Sequence, residues 1–488
     1  MNVVKSNAST FASILAQSFN MIVSTGVYPD CLKVARVIPV FKSGDPSDPS
    51  NYRPISTLSI FNKVLEKLLV DRLLNFLNAN NVLYNFQYGF RKGCSTTTAV
   101  IELVDCLVNE IDSKNIVGAL FLDLKKAFDT INHNVLLHKL DCYGVRGVAN
   151  DILRSYLSNR QQFVRIEEAC SSRRQVHVGV PQGSCVGPLL FLIYINDLAK
   201  LKLKGIPRMF ADDTALFYPC DDAQSVVSCI EHDLELLMHY FNVNRLSLNI
   251  AKTKYMIFHS PRKKIMDHPN PTYDCKPVVK VSNFKYLGIY LDATLSWDSH
   301  IQHTARKIST LSGALRRVSC FVPGIALLKF YYACIHSQLQ YLISVWGQAC
   351  KSKLKILQVI QNRCLKIIFK LPSLYSTTRL FSNTTHKILP LLALRDLQTI
   401  TFVHKAVTNP GNHHNLPFSI GNRQHNTRQV NYLLRPRATT GFGQRRIMFY
   451  GPTIYNALPD HLKLITNPNT FKTRLKQLLK TKITEYIL

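Results

Sequence analysis

Acidic residues all but vanish from the last two fifths of this sequence. From residue 301 onward there are three, Asp396, Asp460 and Glu485, against 27 lysines and arginines. The first 300 residues hold 33 basic and 27 acidic side chains, so most of the net charge of +30 sits in one segment. Solvating a surface does not require so lopsided a ratio, whereas a polyanionic partner does, and nucleic acid is the first candidate. A membrane surface is a weaker candidate, because the charges scatter along the whole segment. Other absences narrow the field further. LLFLIYI is the densest apolar stretch, far short of the ~18 residues of a membrane span, so no membrane is expected. The N-terminal MNVVKSNASTFASILAQ lacks both a long hydrophobic core and a clean cleavage site, which argues against a secretory signal. The 13 cysteines include no C-x-x-C, which disfavours a zinc ribbon or a thioredoxin-like site and fits reduced thiols in an intracellular protein. His300 and His303 have ligand-like spacing but no cysteine partners. No P-loop, dinucleotide-binding glycine pattern, H-E-x-x-H or internal repeat is present.

What is present reads as mixed strands and helices followed by a helical basic segment, α+β and then mainly α, in two to four packed units. Phe11, Leu15, Phe19 and Ile22 share one helical face. ARVIPVF is a strand, and KSGDPSDPSNYRP, with three prolines, is a loop. Ser59 caps a helix whose stripe is Phe61, Val64, Leu65, Leu68, Leu69 and Phe76. GFRKGCST leads into a helix over 96–111. VGALFLDL, 117–124, is an apolar strand of the kind buried on both faces. Helices are expected at 133–141 and 148–158, then a hairpin from QQFVRI and RRQVHVGV. PQGSCVGP opens an apolar helix, RMFADDTALFY is strand, turn, strand, and 222–244 is a long helix. KTKYMIFHS and VSNFKYLGIYLD are strands. The final helix aligns Phe471, Leu475, Leu478, Leu479 and Ile483. Residues 408–447, rich in Asn, Gly, Pro, His and Arg, are expected to be a long basic loop region or a poorly ordered one.

Within RMFADDTALF, Asp212 and Asp213 stand side by side in an apolar run. Taken alone they are polar turn residues at a hairpin tip. Asp123 changes the weighting: it ends the buried strand GALFLDL, where an uncompensated carboxylate is costly. Two apolar strands ending in carboxylates point to a shared divalent-cation site, and oxygen-only ligands favour Mg²⁺ or Mn²⁺ over zinc. Two such ions about 3.5–4 Å apart would serve in-line phosphoryl transfer, which asks little of a protein beyond positioning and charge neutralisation.

GALFLDLKKAFDTINH, GVPQGSCVGPLLFLIYINDL, RMFADDTALF, NRLSLNIAKTKYMIF and FKYLGIYLD, in this order, resemble the successive motifs of non-LTR retrotransposon reverse transcriptases, LINE-like and Jockey-like. ARVIPVFKSGDPSDPSNYRPIS and QYGFRKGCST resemble that family's finger segments, and YNALPDHLK its far end, so the resemblance covers nearly the whole chain. It implies a right-hand polymerase with connecting helix and fingers over 1–115 and a palm over 116–272. A primer-grip hairpin over 273–297, a helical thumb over 298–400 and a basic C-terminal region over 401–488 would follow. It implies an RNA-directed DNA polymerase that uses two Mg²⁺, an RNA template, a DNA primer and deoxynucleoside triphosphates. Asp123, Asp212 and Asp213 match the palm metal ligands, with the Leu124 carbonyl as a further one, and Lys252 matches a general acid for pyrophosphate. Phe128 matches the steric gate that leaves no room for a 2′-hydroxyl. Gln182 and Gly183 match the loop facing the template–nucleotide pair. Lys42, Arg53 and Arg91 match finger cations for the triphosphate, Arg53 foremost. Phe284, Tyr286, Leu287 and Gly288 match the primer grip. Phe210 stands where many reverse transcriptases have tyrosine. Full elements carry an endonuclease ahead of the polymerase, and the sequence opens inside the connecting region, so a truncated element or a fragmentary gene is expected. Nuclear action would fit such elements, although SPRKK alone is too short to establish import. The competing readings are a catalytically silent nucleic-acid-binding remnant and an RNA-dependent RNA polymerase, the latter opposed by Phe128.

Overall fold

The computed structural model describes residues 6–266, 268–382, 388–409, 416, 418–420 and 432–487. Two sheets organise its first half. Strands β1 (Val34–Phe41) and β2 (Tyr52–Thr57) pair antiparallel in the first. Helices α1 (Ala8–Thr25), α2 (Ile60–Ala79) and α3 (Thr96–Asp112) lead to strand β3 (Ile116–Leu122) of the second. Helices α4 (His133–Cys142) and α5 (Val148–Leu157) precede β4 (Gln161–Ile166), which returns to pair parallel with β1. Helix α6 (Val186–Ile195) then leads into the hairpin β5 (Ile206–Phe210) and β6 (Asp213–Cys220). Helix α7 (Ala223–Val243), β7 (Lys254–Phe258) and β8 (Val279–Lys280) complete the second sheet, in the order β8-β7-β3-β6-β5. A separate hairpin, β9 (Asn283–Tyr286) and β10 (Ile289–Asp292), precedes the helical half. Its longer helices are α8 (Asp298–Val318), α9 (Lys351–Ile368), α10 (Leu391–Thr408), α11 (Ile447–Asn456) and α12 (Pro468–Thr481).

Every residue of β3 is buried, and the alternation of its side chains explains the near-continuous apolar run. Val117, Ala119 and Phe121 enter a core shared with α3 and the C-terminal helices. Ile116, Leu120 and Leu122 enter another, shared with α4, α5, α6 and α7. Gly118 lets α7 approach, since a Cβ there would stand 2.3 Å from Val226 Cγ1. The first core reaches Phe471, Leu475, Leu479 and Ile483, so the basic C-terminal segment is packed onto the sheet domain. Phe369, Tyr375, Phe402 and Phe442 pack against this core as well.

Three expectations need correction. The proline-rich stretch after β1 ends earlier than expected: Asp48 caps the turn Pro49–Asn51 through Ser50 N–H, and Tyr52 already begins β2. Pro54 faces Pro39 and is tolerated because β2 is an edge strand. In α2, capped by Ser59 as expected, the buried face is Asn62, Leu65, Glu66 and Leu77, while Val64, Leu68 and Phe76 are exposed. The cause is a buried polar network. Glu66 accepts hydrogen bonds from Asn62 (2.9 Å), the Tyr156 hydroxyl (2.9 Å) and the Cys185 amide (2.6 Å), and Tyr28 donates to Asn62 at 2.6 Å. In the hairpin expected from QQFVRI and RRQVHVGV, only Arg174–Gln175 of the latter pairs with β4. Residues 410–415, 417 and 421–431 of the loop expected over 408–447 lie outside the described residues. His300 is buried against Trp346, its ring centroid 5.5 Å away, with a pKa pulled down to about 4, first by burial. Among the described residues no disulfide forms, and all 13 cysteines are free.

Candidate active site

The β5–β6 hairpin closes with the Phe210–Asp213 pair, leaving Ala211 and Asp212 as a two-residue turn. Ala211 adopts the left-handed conformation such turns require, φ 57°. On the other side of β6, Leu122 pairs with Thr214, so one step further along the antiparallel register Asp123 falls beside Asp213. The backbone of Asp123 is held at both ends: its N–H donates to Thr253 Oγ1 (3.4 Å) and its carbonyl accepts from Asn249 N–H (2.7 Å). With the Lys125 N–H to Ser247 carbonyl bond (2.8 Å) this makes a wide rung around Leu124 and Leu248. The two bonds flank Leu124, so its carbonyl stays out of the ladder. Lys252 is exposed in the adjoining turn, its N–H on the Asn249 carbonyl at 3.1 Å.

The carboxylates feel one another. Asp213 is pushed up to about 6, first by the cleft walls that crowd it, then by the charges of Asp212 and Asp123. Asp212 is also raised, again chiefly by burial and then by Asp123, while its own amide, Arg53 and Lys42 oppose the rise. Both side chains nevertheless keep solvent-exposed surface, so the crowding is that of an open cleft. Repelling carboxylates with oxygen-only donors suit a hard divalent cation. Among the described residues no three His, Cys, Asp or Glu side chains are gathered closely enough to hold a metal ion.

Arg53 lies on β2 and Lys42 just beyond β1, both exposed, and the pairing of Phe41 with Tyr52 sets them near each other. Arg91 is placed differently: its guanidinium donates to the carbonyls of Tyr84 (2.9 Å) and Gln87 (3.2 Å). Phe128 is half-buried, with its ring 4.7 Å from that of Phe191. Its carbonyl accepts from Val180 N–H (2.9 Å), which ties it to the loop carrying Gln182 and Gly183. Gln182 donates its side-chain amide to Asp129 (2.9 Å), and its carbonyl receives the Ser56 N–H (2.7 Å). Gly183 has φ 123°, and a Cβ there would stand 2.5 Å from the Ser56 carbonyl, so only glycine lets this loop meet β2. Phe284 stacks on Phe121 at 4.0 Å and 10°. Tyr286 is buried, which raises its hydroxyl pKa, and the charge of Asp213 raises it further. The β9–β10 turn is formed by Leu287 and Gly288, φ 44° and 88°, and Tyr341 donates to the Leu287 carbonyl at 2.7 Å.

Sequence reasoning missed two contributors. One is the Glu66 network, whose bond to Cys185 N–H anchors the start of α6 below the Gln182 loop. Its only signal was a pair of polar residues, Asn62 and Glu66, one helical turn apart. The other is the segment Phe86–Gly89, which runs along β5 as an added parallel rung at Gln87 and Met209. QYGF shows no alternation that would mark it as a strand.

A palm sheet with carboxylates at the end of a central strand and on the adjoining hairpin tip defines the class of right-hand polymerases. Residues 41–291 match the family "Reverse transcriptase (RNA-dependent DNA polymerase)", about half of the chain, and the protein belongs to that family. Among curated relatives, it is 31% identical over 378 residues to the "Probable RNA-directed DNA polymerase from transposon BS" of Drosophila melanogaster, covering 73% of this chain and 40% of that protein. It is 28% identical over 369 residues to the "RNA-directed DNA polymerase from mobile element jockey" of Drosophila funebris, covering 72% and 39%. The chain thus spans about two fifths of the length of these relatives. Among solved structures, apo telomerase from Candida tropicalis aligns with TM-score 0.40 and 12% identity, covering 83% of this chain and 74% of that one. No described helix is long and apolar enough to cross a membrane.

Proposed function

We infer that the chain is an RNA-directed DNA polymerase that extends a primer 3′-hydroxyl on an RNA template. One observation carries this reading: β3 and the β5–β6 hairpin, distant in sequence, bring Asp123 beside Asp212 and Asp213, with Arg53 and Lys42 acting on Asp212. Asp123, Asp212, Asp213 and the Leu124 carbonyl would hold two Mg²⁺, for which Mn²⁺ is a substitute. Bound there, the ions would activate the attacking hydroxyl and neutralise the leaving phosphate. Arg53 and Lys42 clamp the triphosphate by charge-assisted hydrogen bonds. Arg91, held on backbone carbonyls, orders the loop behind them. Phe128 fills the space under the sugar, Gln182 and Gly183 face the base pair, and Lys252 protonates the departing pyrophosphate. The β9–β10 hairpin, from Phe284 to Gly288, supports the primer end. This reading extends to a DNA primer and to action in the nucleus.

The test is primer extension on oligo(dT)-primed poly(rA) with Mg²⁺ and either dTTP or UTP. Incorporation of dTTP, lost by more than about 10³-fold in Asp212→Asn and joined by UTP incorporation in Phe128→Ala, is expected. Preference for UTP in the parent would replace the reading with an RNA polymerase. Tight RNA binding with no extension by either nucleotide would replace it with a silent binding remnant.

A further inference from the structure

The hairpin that carries Asp212 and Asp213 uses β5, the last strand of the sheet, and Phe86–Gly89 lies along that strand's free side. Tyr88 N–H donates to the Met209 carbonyl and Met209 N–H to the Phe86 carbonyl, both at 2.9 Å. From this rung the Gln87 side chain, only 1% exposed, reaches the hairpin tip. Its Oε1 accepts two amide protons, from Gly89 at 2.9 Å and from Ala211 at 3.1 Å. Ala211 is the first residue of the two-residue turn, where neither loop N–H belongs to the strand ladder. It is buried, so its donor needs a partner from elsewhere, and Gln87 is that partner. The fit leaves no slack: a Cβ at Gly89 would stand 2.3 Å from the Ala211 nitrogen. Beneath, the Arg208 guanidinium lies 3.8 Å from the Phe86 ring centroid and donates to the Tyr88 hydroxyl at 3.1 Å, while that hydroxyl bonds Glu102. The rung is therefore pinned on both its edge and its underside.

We propose that Gln87 is a positioning residue. By holding the Ala211 amide it sets the conformation of the Ala211–Asp212 turn, and so the separation at which Asp212 and Asp213 face Asp123 to hold a divalent cation. The kinetic consequence rests on the polymerase reading; the consequence for cation affinity does not.

Gln87→Met keeps a side chain of similar length and removes the acceptor. Mn²⁺ binding to the full chain is followed by electron paramagnetic resonance, with Asp212→Asn defining loss of the site. Primer extension, thermal unfolding and primer–template anisotropy in EDTA accompany it. The Asp212-dependent Mn²⁺ dissociation constant is expected to rise by about 10-fold or more, the loss typical when a supporting hydrogen bond is removed. kcat should fall by at least about 10-fold with KM for dTTP changed by less than about 3-fold, because alignment rather than substrate binding is disturbed. Affinity for primer–template in EDTA should stay within about 2-fold, since the turn makes no metal-independent clamp on the duplex. If Gln87→Met does not fold, Gly89→Ala, which pushes the Ala211 nitrogen and leaves the acceptor in place, is measured the same way and should also weaken Mn²⁺. Unchanged Mn²⁺ affinity in a folded variant, or a parent that binds no Mn²⁺ through Asp212, overturns the proposal. So does a loss of primer–template affinity in EDTA that matches the loss of activity. A parent that extends no primer, with Mn²⁺ affinity still dependent on Gln87, rejects the polymerase reading and leaves this one standing.

Discussion

At the scale of single residues, the energetic tension of the site sits on Asp213. Its carboxyl titrates near 6 because the cleft crowds it and Asp212 and Asp123 repel its charge. The unfolded value is about 3.9, so the folded state holds the proton more tightly. Stability of the metal-free protein should therefore fall as pH rises from about 4 through 6 and level off above. Asp213→Asn removes that loss. In EDTA at pH 8 its melting temperature should exceed the parent's by on the order of 2 °C, and at pH 4 the two should coincide. Adding Mg²⁺ at pH 8 should raise the parent's melting temperature and leave the variant's nearly unchanged, as differential scanning fluorimetry would show.

At the scale of elements, α3 acts as the splice between the sheet and the basic C-terminal helices. Asp105, buried on α3, takes two Arg446 nitrogens at 3.0 and 3.2 Å and the Met448 N–H at 3.0 Å. About two helical turns further on, Asp112 receives the amides of Thr439 (2.8 Å) and Thr440 (3.0 Å). Burial pushes the Asp112 carboxyl up, but the Thr440 hydroxyl, with these amides and the Thr439 hydroxyl, outweighs it and holds the group below its usual range. Breaking one side of a buried pair leaves the other charge uncompensated. Asp105→Ala should thus cost about 3–5 kcal/mol in urea unfolding. Removing both partners, in Asp105→Ala with Arg446→Met, should cost clearly less than the sum of the single changes.

At the scale of the whole molecule, charge and core are arranged at cross purposes that function reconciles. The segment after residue 300 carries 27 of the 60 basic residues, yet its apolar faces are committed to the core around Leu315, Leu357, Leu397 and Phe471. Most of its described cations, Arg395, Arg446 and Lys463 apart, are left on the outside, where they can follow phosphates. Each neutralised phosphate contributes about −0.9 to the slope of log K against log salt on duplex. Arg316 and Arg317, both exposed at the end of α8, are natural members of that track. Arg316→Gln with Arg317→Gln should reduce the slope of primer–template binding by about 2, measured by anisotropy across a salt series. Melting temperature should not move, because neither side chain is part of the core.

What the sequence by itself determined is whatever has a local physical cause. Strand β3 was legible because a strand buried on both faces must be apolar throughout, and the β5–β6 turn because paired aspartates inside an apolar run have few other uses. The caps at Ser59, the amphipathic α1 and α12, and the polycationic segment follow from spacing and composition in the same way. Tertiary structure alone decided which face of α2 is buried, since Asn62 and Glu66 are buried only because Tyr28, Tyr156 and Cys185 supply partners. It alone separated Arg53 and Lys42, whose fields reach Asp212, from Arg91, whose donors are taken by backbone carbonyls. It alone brought Gln87 to the Ala211 amide. A hydrogen bond between residues 124 positions apart leaves no periodicity behind, so no local pattern could announce it.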